Sequence, residues 1–234
     1  MAQWDSIKQK AHGVIIRAGY GNTAAQKDTQ FESNYNACKM YSLPCGAYWY
    51  SYATTIEDAK KEAMACLQVI KGKKFEYPIY YDIEDQIQRT ISKSMLTQMV
   101  ITFCTELEKA GYYVGVYANT DWFTNRLNHA ELSKRYTIWL ADYRTNYNKT
   151  LKRDMHQFSS TNAFGIYGFG GHLDCNSCTK DFPTIIKGVK LNGYRDEPVK
   201  EAPKTYRISI TASEGDKNRI LELCNELSLS AVVE

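Results

Sequence analysis

The chain lacks any long apolar run. No stretch of its 234 residues approaches the roughly 18 apolar residues of a membrane-spanning helix. The N-terminus, "MAQWDSIKQKAHG", has no apolar core of the kind a secretory leader carries. Any extracellular target is therefore reached by lysis, by a holin-type release route, or with a leader not contained in this sequence. An excess of charge of one sign is also missing. The 29 Lys and Arg are interspersed with 26 Asp and Glu for a formal net charge of +3, which offers no electrostatic footprint for nucleic acid. The seven cysteines (38, 45, 66, 104, 175, 178 and 224) are odd in number and show no framework spacing, which points to synthesis in a reducing compartment. The four histidines (His12, His129, His156, His172) are dispersed, so "CNSC" (Cys175, Cys178) has no companions for a zinc site and reads as incidental thiols. "GYGNTA" (residues 19–24) matches a dinucleotide-binding fingerprint. The next strand, however, ends "WYSYA" and lacks the acid that holds a ribose hydroxyl, so a Gly-rich loop at a sheet rim explains it better.

What is present is aromatic. Eighteen Tyr and four Trp concentrate in "YWYSYA", "YPIYYD", "GYYVGVYANTDWF" and "TIWLADY". Between these runs the pattern alternates. "GVIIRAG" (13–19), "LPCGAYWYSYA" (43–53), "YPIYYDIE" (77–84), "YVGVYAN" (113–119) and "YTIWLADY" (136–143) read as strands. "FESNYNACKMYS", "TIEDAKKEAMACLQVIKG", "SKSMLTQMVITFCTELEKAG" and "DWFTNRLNHAELSKR" read as helices. In the third of these, Ser92 opens the helix, Met95, Met99, Phe103 and Leu107 form the apolar stripe, and Gly111 lies past the end. "DMHQFSS" (154–160) and a short piece around "GHLDCN" (171–176) complete the regular pattern. Strand and helix alternation predicts a parallel sheet with crossover helices, closing into an irregular (β/α) TIM-type barrel over residues 1–190. "LNGYRDEPVKEAPKT" (191–205) holds two of the five prolines and reads as a linker. Residues 206–234 read as a short α/β appendage of strand, helix and strand, too small for a core of its own. Such a segment docks on the barrel, pairs with another copy in a self-association, or begins a longer module.

The strand tips carry the chemistry: Arg17, Tyr50, Asp82 and Glu84, Asn119, Asp142 and Asp174. "YYDIED" drives an aromatic run into three acids. On a strand, Asp82 and Glu84 share one face, roughly 6–7 Å apart. One carboxyl held protonated can donate to a leaving oxygen while ionised neighbours stabilise an oxocarbenium ion, which is glycoside hydrolysis. The competing reading is a cation site or a set of ion pairs at the barrel mouth. Asp85, on the other face, reads as a cap.

"VIIRAGYG", "GAYWYSYA", "PIYYDIED", "AGYYVGVYAN" followed by "WF", "YTIWLADY", "HQFSS" and "GHLDCN" occur in the order and spacing of glycoside hydrolase family 25, the Chalaropsis-type lysozymes that include many phage endolysins. The resemblance covers roughly residues 3–178. It implies N-acetylmuramidase cleavage of the glycan strands of bacterial peptidoglycan, at the cell wall and with no cofactor or metal. It also implies Glu84 as catalytic acid, Asp82 as the carboxylate beside it and Asp174 as a late aspartate of the site. Tyr48, Tyr50, Tyr117, Trp139 and Gln157 fall where such enzymes line the sugar groove, and Arg17 and Asn119 join them as substrate-binding candidates. Two departures stand out: the family usually opens with a strand whose Asp joins the site, ahead of "W-x-x-I-K", and His156 stands where Trp is usual. They keep open a catalytically impaired wall-binding protein. A chitinase-like glycosidase is the other alternative, although "EYPIYYDIE" lacks that family's upstream acids.

Overall fold

The structure is a computed structural model that describes residues 3–194, together with Arg219 and Glu222. Two compact units are present, Met1–Asp196 and Glu197–Glu234. In the second, Arg219 and Glu222 are helical and exposed, and the expected strand–helix–strand pattern of 206–234 otherwise lies outside the described residues.

The first unit is a curled seven-stranded sheet in the order of the chain: β1 (Val14–Tyr20), β2 (Cys45–Tyr50), β3 (Ile79–Asp82), β4 (Val114–Asn119), β5 (Thr137–Ala141), β6 (Met155–Ser159) and β7 (Cys175–Cys178). The first six strands run parallel, as the alternation predicts. β7 runs antiparallel to β6, which the sequence did not reveal. Helices α2 (Phe31–Met40), α3 (Ile56–Ile70), α4 (Lys93–Lys109) and α5 (His129–Arg135) follow strands β1 to β4.

Each crossover forms for local reasons. In α3 the Thr55 hydroxyl accepts the Asp58 N–H at 3.1 Å, and Ala59, Ala63, Cys66 and Ile70 repeat at helical spacing into the core. In α4 Ser92 caps the Met95 N–H at 3.3 Å, and Gly111, at φ +87°, turns the chain out. The buried stripe of α4 is Leu96, Met99, Val100, Phe103 and Leu107, whereas Met95 is 40% exposed. The stretch read as one helix over 121–135 is two pieces, a wide turn at Trp122–Arg126 and then α5, separated by the extended Leu127.

Two apolar layers result. Outward-facing residues such as Trp49, Tyr81, Val116 and Ile138 pack under the helices. The concave side is filled by Tyr80, Trp139 and Met155, with Tyr48 and Tyr117 above them. Gly115 makes room here, since a Cβ would stand 2.4 Å from the Tyr80 ring. Beneath, α6 (Phe182–Gly188) inserts Phe182 and Ile186 into the same cluster. The helix is only seven residues and opens at Pro183, too short for a periodic signal. Residues 191–194, read as the start of a linker, belong to this unit. Asn192 is fully buried and accepts the Tyr113 N–H (2.7 Å) while donating to the Tyr77 carbonyl (2.9 Å).

β1 and β7 are the sheet's two edges, with no pairing between them among the described residues. An N-terminal helix, α1 (Gln3–Lys10), packs Ile7 on Leu43 and Ile166, so it touches both the β1 side and the loop that leads to β7. Ser6 Oγ accepts the Tyr167 N–H at 2.9 Å, and Lys10 Nζ donates to the Gly165 carbonyl at 2.6 Å.

Candidate active site

The parallel ladder delivers Asp82 to the concave face, level with Tyr50 on one side and Tyr117 on the other. Its side chain is buried, and Oδ1 has no hydrogen-bond partner. Burial pushes its pKa well above the usual carboxylate range; Glu84 adds to the rise and Arg17 opposes it. Two residues on, past the end of β3, Glu84 occupies the rim. Its Oε2 accepts both the backbone N–H (3.2 Å) and the side-chain Nδ2 (2.9 Å) of Asn119, the last residue of β4. Burial raises the Glu84 pKa, and the two Asn119 donors hold it back. Glu84 also lines a cavity of about 650 Å³ between the loops that follow β4 and β5. Asp85 caps the Ile87 N–H (2.9 Å), as expected, but it does not turn away from the site: its other oxygen accepts the hydroxyl of the groove residue Tyr50 (3.0 Å).

Asp174 reaches the same face by an unexpected path. It precedes β7 rather than ending a strand, and because β7 is antiparallel its first residue lies at the rim. Asp174 is exposed and acts electrostatically on Tyr48 and Tyr117. The Tyr48 pKa is pushed up to about 12, mainly by burial. Arg17 sits between the Tyr20 and Tyr50 rings, 5.1 and 5.6 Å from their centroids, and its Nε is buried without a partner.

The expected groove residues divide into two layers. Tyr48, Tyr50 and Tyr117 are half-buried and face the concave side. Trp139 and Gln157 lie beneath, 6% and 2% exposed, because neighbouring strands cover both. Trp139 packs against Tyr117 (4.6 Å) and Tyr48 (6.4 Å) and donates its indole N–H to Asn176, while Gln157 accepts the Tyr117 hydroxyl at 2.7 Å. They hold the rings rather than offer a surface. His156, between Met155 and Gln157, projects to the other face of the sheet, paired with Leu140 and away from the groove, with its Nε2 2.8 Å from the Asp142 carbonyl and its ring 4.4 Å from that of Tyr147.

Sequence reasoning passed over several rim residues. Tyr52 is 42% exposed and meets Tyr50 (5.1 Å) and Tyr20 (5.9 Å), so the aromatic surface extends past β2. The period-two series Tyr48, Tyr50, Tyr52 carried that signal. On the other flank, Asp142 is gripped by Thr120 Oγ1 (2.5 Å) and by Arg144 through Nε (2.8 Å) and Nη2 (2.5 Å), which holds its pKa well below the usual range. No periodicity marks Thr120 or Arg144. The "GYGNTA" loop is fastened into the rim: the Gly21 N–H donates to the Tyr50 carbonyl and the Gly21 carbonyl accepts the Trp49 indole N–H.

The sequence profile of glycosyl hydrolases family 25 matches residues 1–165, more than half of the chain and all of the strands through β6. The chain belongs to glycosyl hydrolases family 25. Solved structures of family 25 type superpose on it. The CTP1L endolysin is 27% identical with a TM-score of 0.65, over 76% of this chain and 61% of its own. The lysozyme of Streptomyces coelicolor is 16% identical with a TM-score of 0.68, over 80% of this chain and 92% of its own. The muramidase of Acremonium alcalophilum is 17% identical with a TM-score of 0.66, over 80% and 93%. This chain thus spans about three fifths of the endolysin's length. Among curated proteins none matches in sequence.

Proposed function

We propose that this family 25 chain is an N-acetylmuramidase that hydrolyses the β-1,4 bond between N-acetylmuramic acid and N-acetylglucosamine in bacterial peptidoglycan. The Glu84 carboxyl carries the reading. It is anchored by Asn119 on one oxygen only, its pKa is raised by burial, and it opens onto a cavity. A protonated carboxyl with one oxygen unengaged suits proton donation to the leaving glycosidic oxygen. The buried Asp82 and the half-buried Glu84 share one face, and burial together with their mutual repulsion raises the cost of ionising both, which favours keeping one proton on the pair. The exposed Asp174 opposite supplies negative charge toward the developing oxocarbenium ion, and Asp82 below adds to it only when the proton held by the pair sits on Glu84. Tyr48, Tyr50 and Tyr117, joined by Tyr20 and Tyr52, form the surface for sugar faces, with Arg17 fixed among them. Endolysin, lysozyme and muramidase neighbours agree with a substrate in the cell wall.

The test is digestion of purified peptidoglycan by this chain and by Glu84→Gln, followed by borohydride reduction and mass spectrometry. Fragments ending in reduced muramic acid, absent with the variant, support the proposal. Reduced glucosamine ends make the enzyme a glucosaminidase. No release by a folded sample rejects the catalytic assignment in favour of a wall-binding protein.

A further inference from the structure

The two flanks of Glu84 differ in chemistry. On the β1–β2 side the rim is aromatic, with Tyr20, Tyr50 and Tyr52 in mutual contact. On the β4–β5 side lies the 650 Å³ cavity, whose walls beyond Glu84 include Thr120, Asp121, Asn125, Asp142 and Arg144. Sugar faces bind rings, and here Tyr117 and Tyr143 also line the cavity, but this flank adds a set of placed donors and acceptors beside them.

Its most defined feature is Arg144. Asp142 Oδ1 accepts both the Arg144 backbone N–H (3.1 Å) and Nε (2.8 Å), and Oδ2 accepts Nη2 (2.5 Å). Asp142 is itself held by Thr120, so the guanidinium is fixed before any ligand arrives. Its side chain is nonetheless 63% exposed, and Nη1 has no partner among the described residues. A guanidinium clamped along one edge presents the other to a carboxylate or an amide carbonyl. Elsewhere in the cavity stands the Asp121 carboxylate, 46% exposed, whose Oδ1 accepts the Asn125 amide at 2.8 Å and whose Oδ2 meets the exposed Arg89 Nη1 at 3.5 Å, a long surface contact that a ligand amine would have to share or displace. A fixed cationic edge and an exposed carboxylate in one cavity suit a ligand bearing both a carboxylate and an ammonium group, which is a short zwitterionic peptide.

Resting on the muramidase reading, we infer that this cavity binds the peptide stem carried by the muramoyl residue, with Arg144 taking a stem carboxylate or carbonyl and Asp121 a stem amine. The cavity then makes the enzyme selective for peptide-bearing over bare glycan.

The experiment measures kcat/KM on soluble peptide-bearing glycan and on the same glycan stripped of peptide by an amidase. A hydrogen bond to a charged group implies a preference of about tenfold for the peptide-bearing form. Arg144→Ala and Asp121→Ala should each draw that ratio toward one. Asp121→Ala alters a side chain nearly half exposed, so it reports even where loss of Arg144 strands the buried Asp142. A wild-type ratio near one, or variants that slow both substrates equally, overturns the inference. Binding of a free stem pentapeptide, followed by NMR at the Asn125 amide, separates it from the parent proposal. Peptide binding lost in Asp121→Ala, in a chain that cleaves neither glycan, supports the cavity and rejects the muramidase; glycan cleavage with no peptide binding does the reverse.

Discussion

Asn119 grips Glu84 by a single oxygen, and the consequence can be read in a pH profile. Hydrogen bonds to the ionised form favour it, so the two Asn119 donors lower the Glu84 pKa while burial raises it. Asn119→Ala removes the side-chain donor and leaves burial less opposed. The Glu84 pKa then rises, and a general acid stays protonated to higher pH. The alkaline limb of kcat/KM should therefore move upward, checked by initial rates across pH; a downward move would exclude Glu84 as the proton donor. Asn119 Oδ1 also accepts the Trp122 N–H, so the same variant loses about 1 kcal/mol of stability. The two aromatic layers make a second prediction. Trp139→Ala, at a buried ring, should cost about 3–5 kcal/mol in denaturant unfolding. Tyr52→Ala, at an exposed one, should leave stability within about 0.5 kcal/mol and raise KM for glycan instead. At this scale the acids and ring positions were legible, because alternation along a strand assigns a face. Depth was not legible: Trp139 and Gln157 share the facing of Tyr117, yet the strands on either side bury them.

Helix α3 shows how an element can be legible while one of its residues is not. Its cap and stripe stand out in the sequence, but Glu62, within "DAKKEAM", reads as one more solvated charge. Its side chain is buried beneath the β2 and β3 tips. Oε2 accepts the Tyr81 hydroxyl (2.6 Å) and Oε1 the Tyr52 N–H (2.7 Å). Ser51 joins Tyr81 at 2.8 Å, and Gln88 donates to Ser51 and to the Ala53 carbonyl at 2.9 Å each. This network pins the loops that follow β2 and β3, next to Tyr50 and carrying Glu84, and only the assembled sheet brings its members together. Burial raises the Glu62 pKa. A carboxyl with a raised folded pKa contributes stability below its unfolded pKa and loses it as pH rises through the folded value. Glu62→Gln keeps an acceptor for Tyr52 and a donor toward Tyr81 without the charge. Relative to wild type, the variant should therefore gain stability as pH climbs above the ordinary carboxylate range. Paired thermal melts between acid and neutral pH check this, and a wild-type advantage that widens with pH would mean that the buried charge is net stabilising.

At the scale of the whole unit, strand–helix alternation made the parallel half legible, and what escaped was the closure. β7 reverses direction, α1 packs against both the β1 side and the loop before β7, and α6 plugs the underside. None of the three is announced by a period, since α6 is short and β7 has only four residues. The tail beyond α6 misled for a physical reason as well. "LNGY" looks like linker because Asn and Gly favour turns, yet those residue types are what the closure uses. Asn192 adopts φ +53°, a left-handed conformation that Asn tolerates better than most residues. There its side chain satisfies the Tyr113 N–H and the Tyr77 carbonyl, its N–H reaches the Gly111 carbonyl, and its carbonyl accepts the Phe75 N–H. Tyr194 adds a hydroxyl bond to Glu76, which also holds Lys39 and the Cys45 N–H. A chain ending at residue 190 strands these groups, whereas one ending at residue 196 keeps them. Each orphaned buried group costs about 1–3 kcal/mol. The shorter chain should therefore be less stable by at least about 3 kcal/mol, a drop in melting temperature on the order of 6–12 °C for a unit of this size. Asn192→Ala in the longer chain should reproduce most of that loss, because it removes two side-chain bonds and places Ala at positive φ. Equal melting of the two chains would show that the folded unit is complete before residue 191 and that Asn192 merely rests against it.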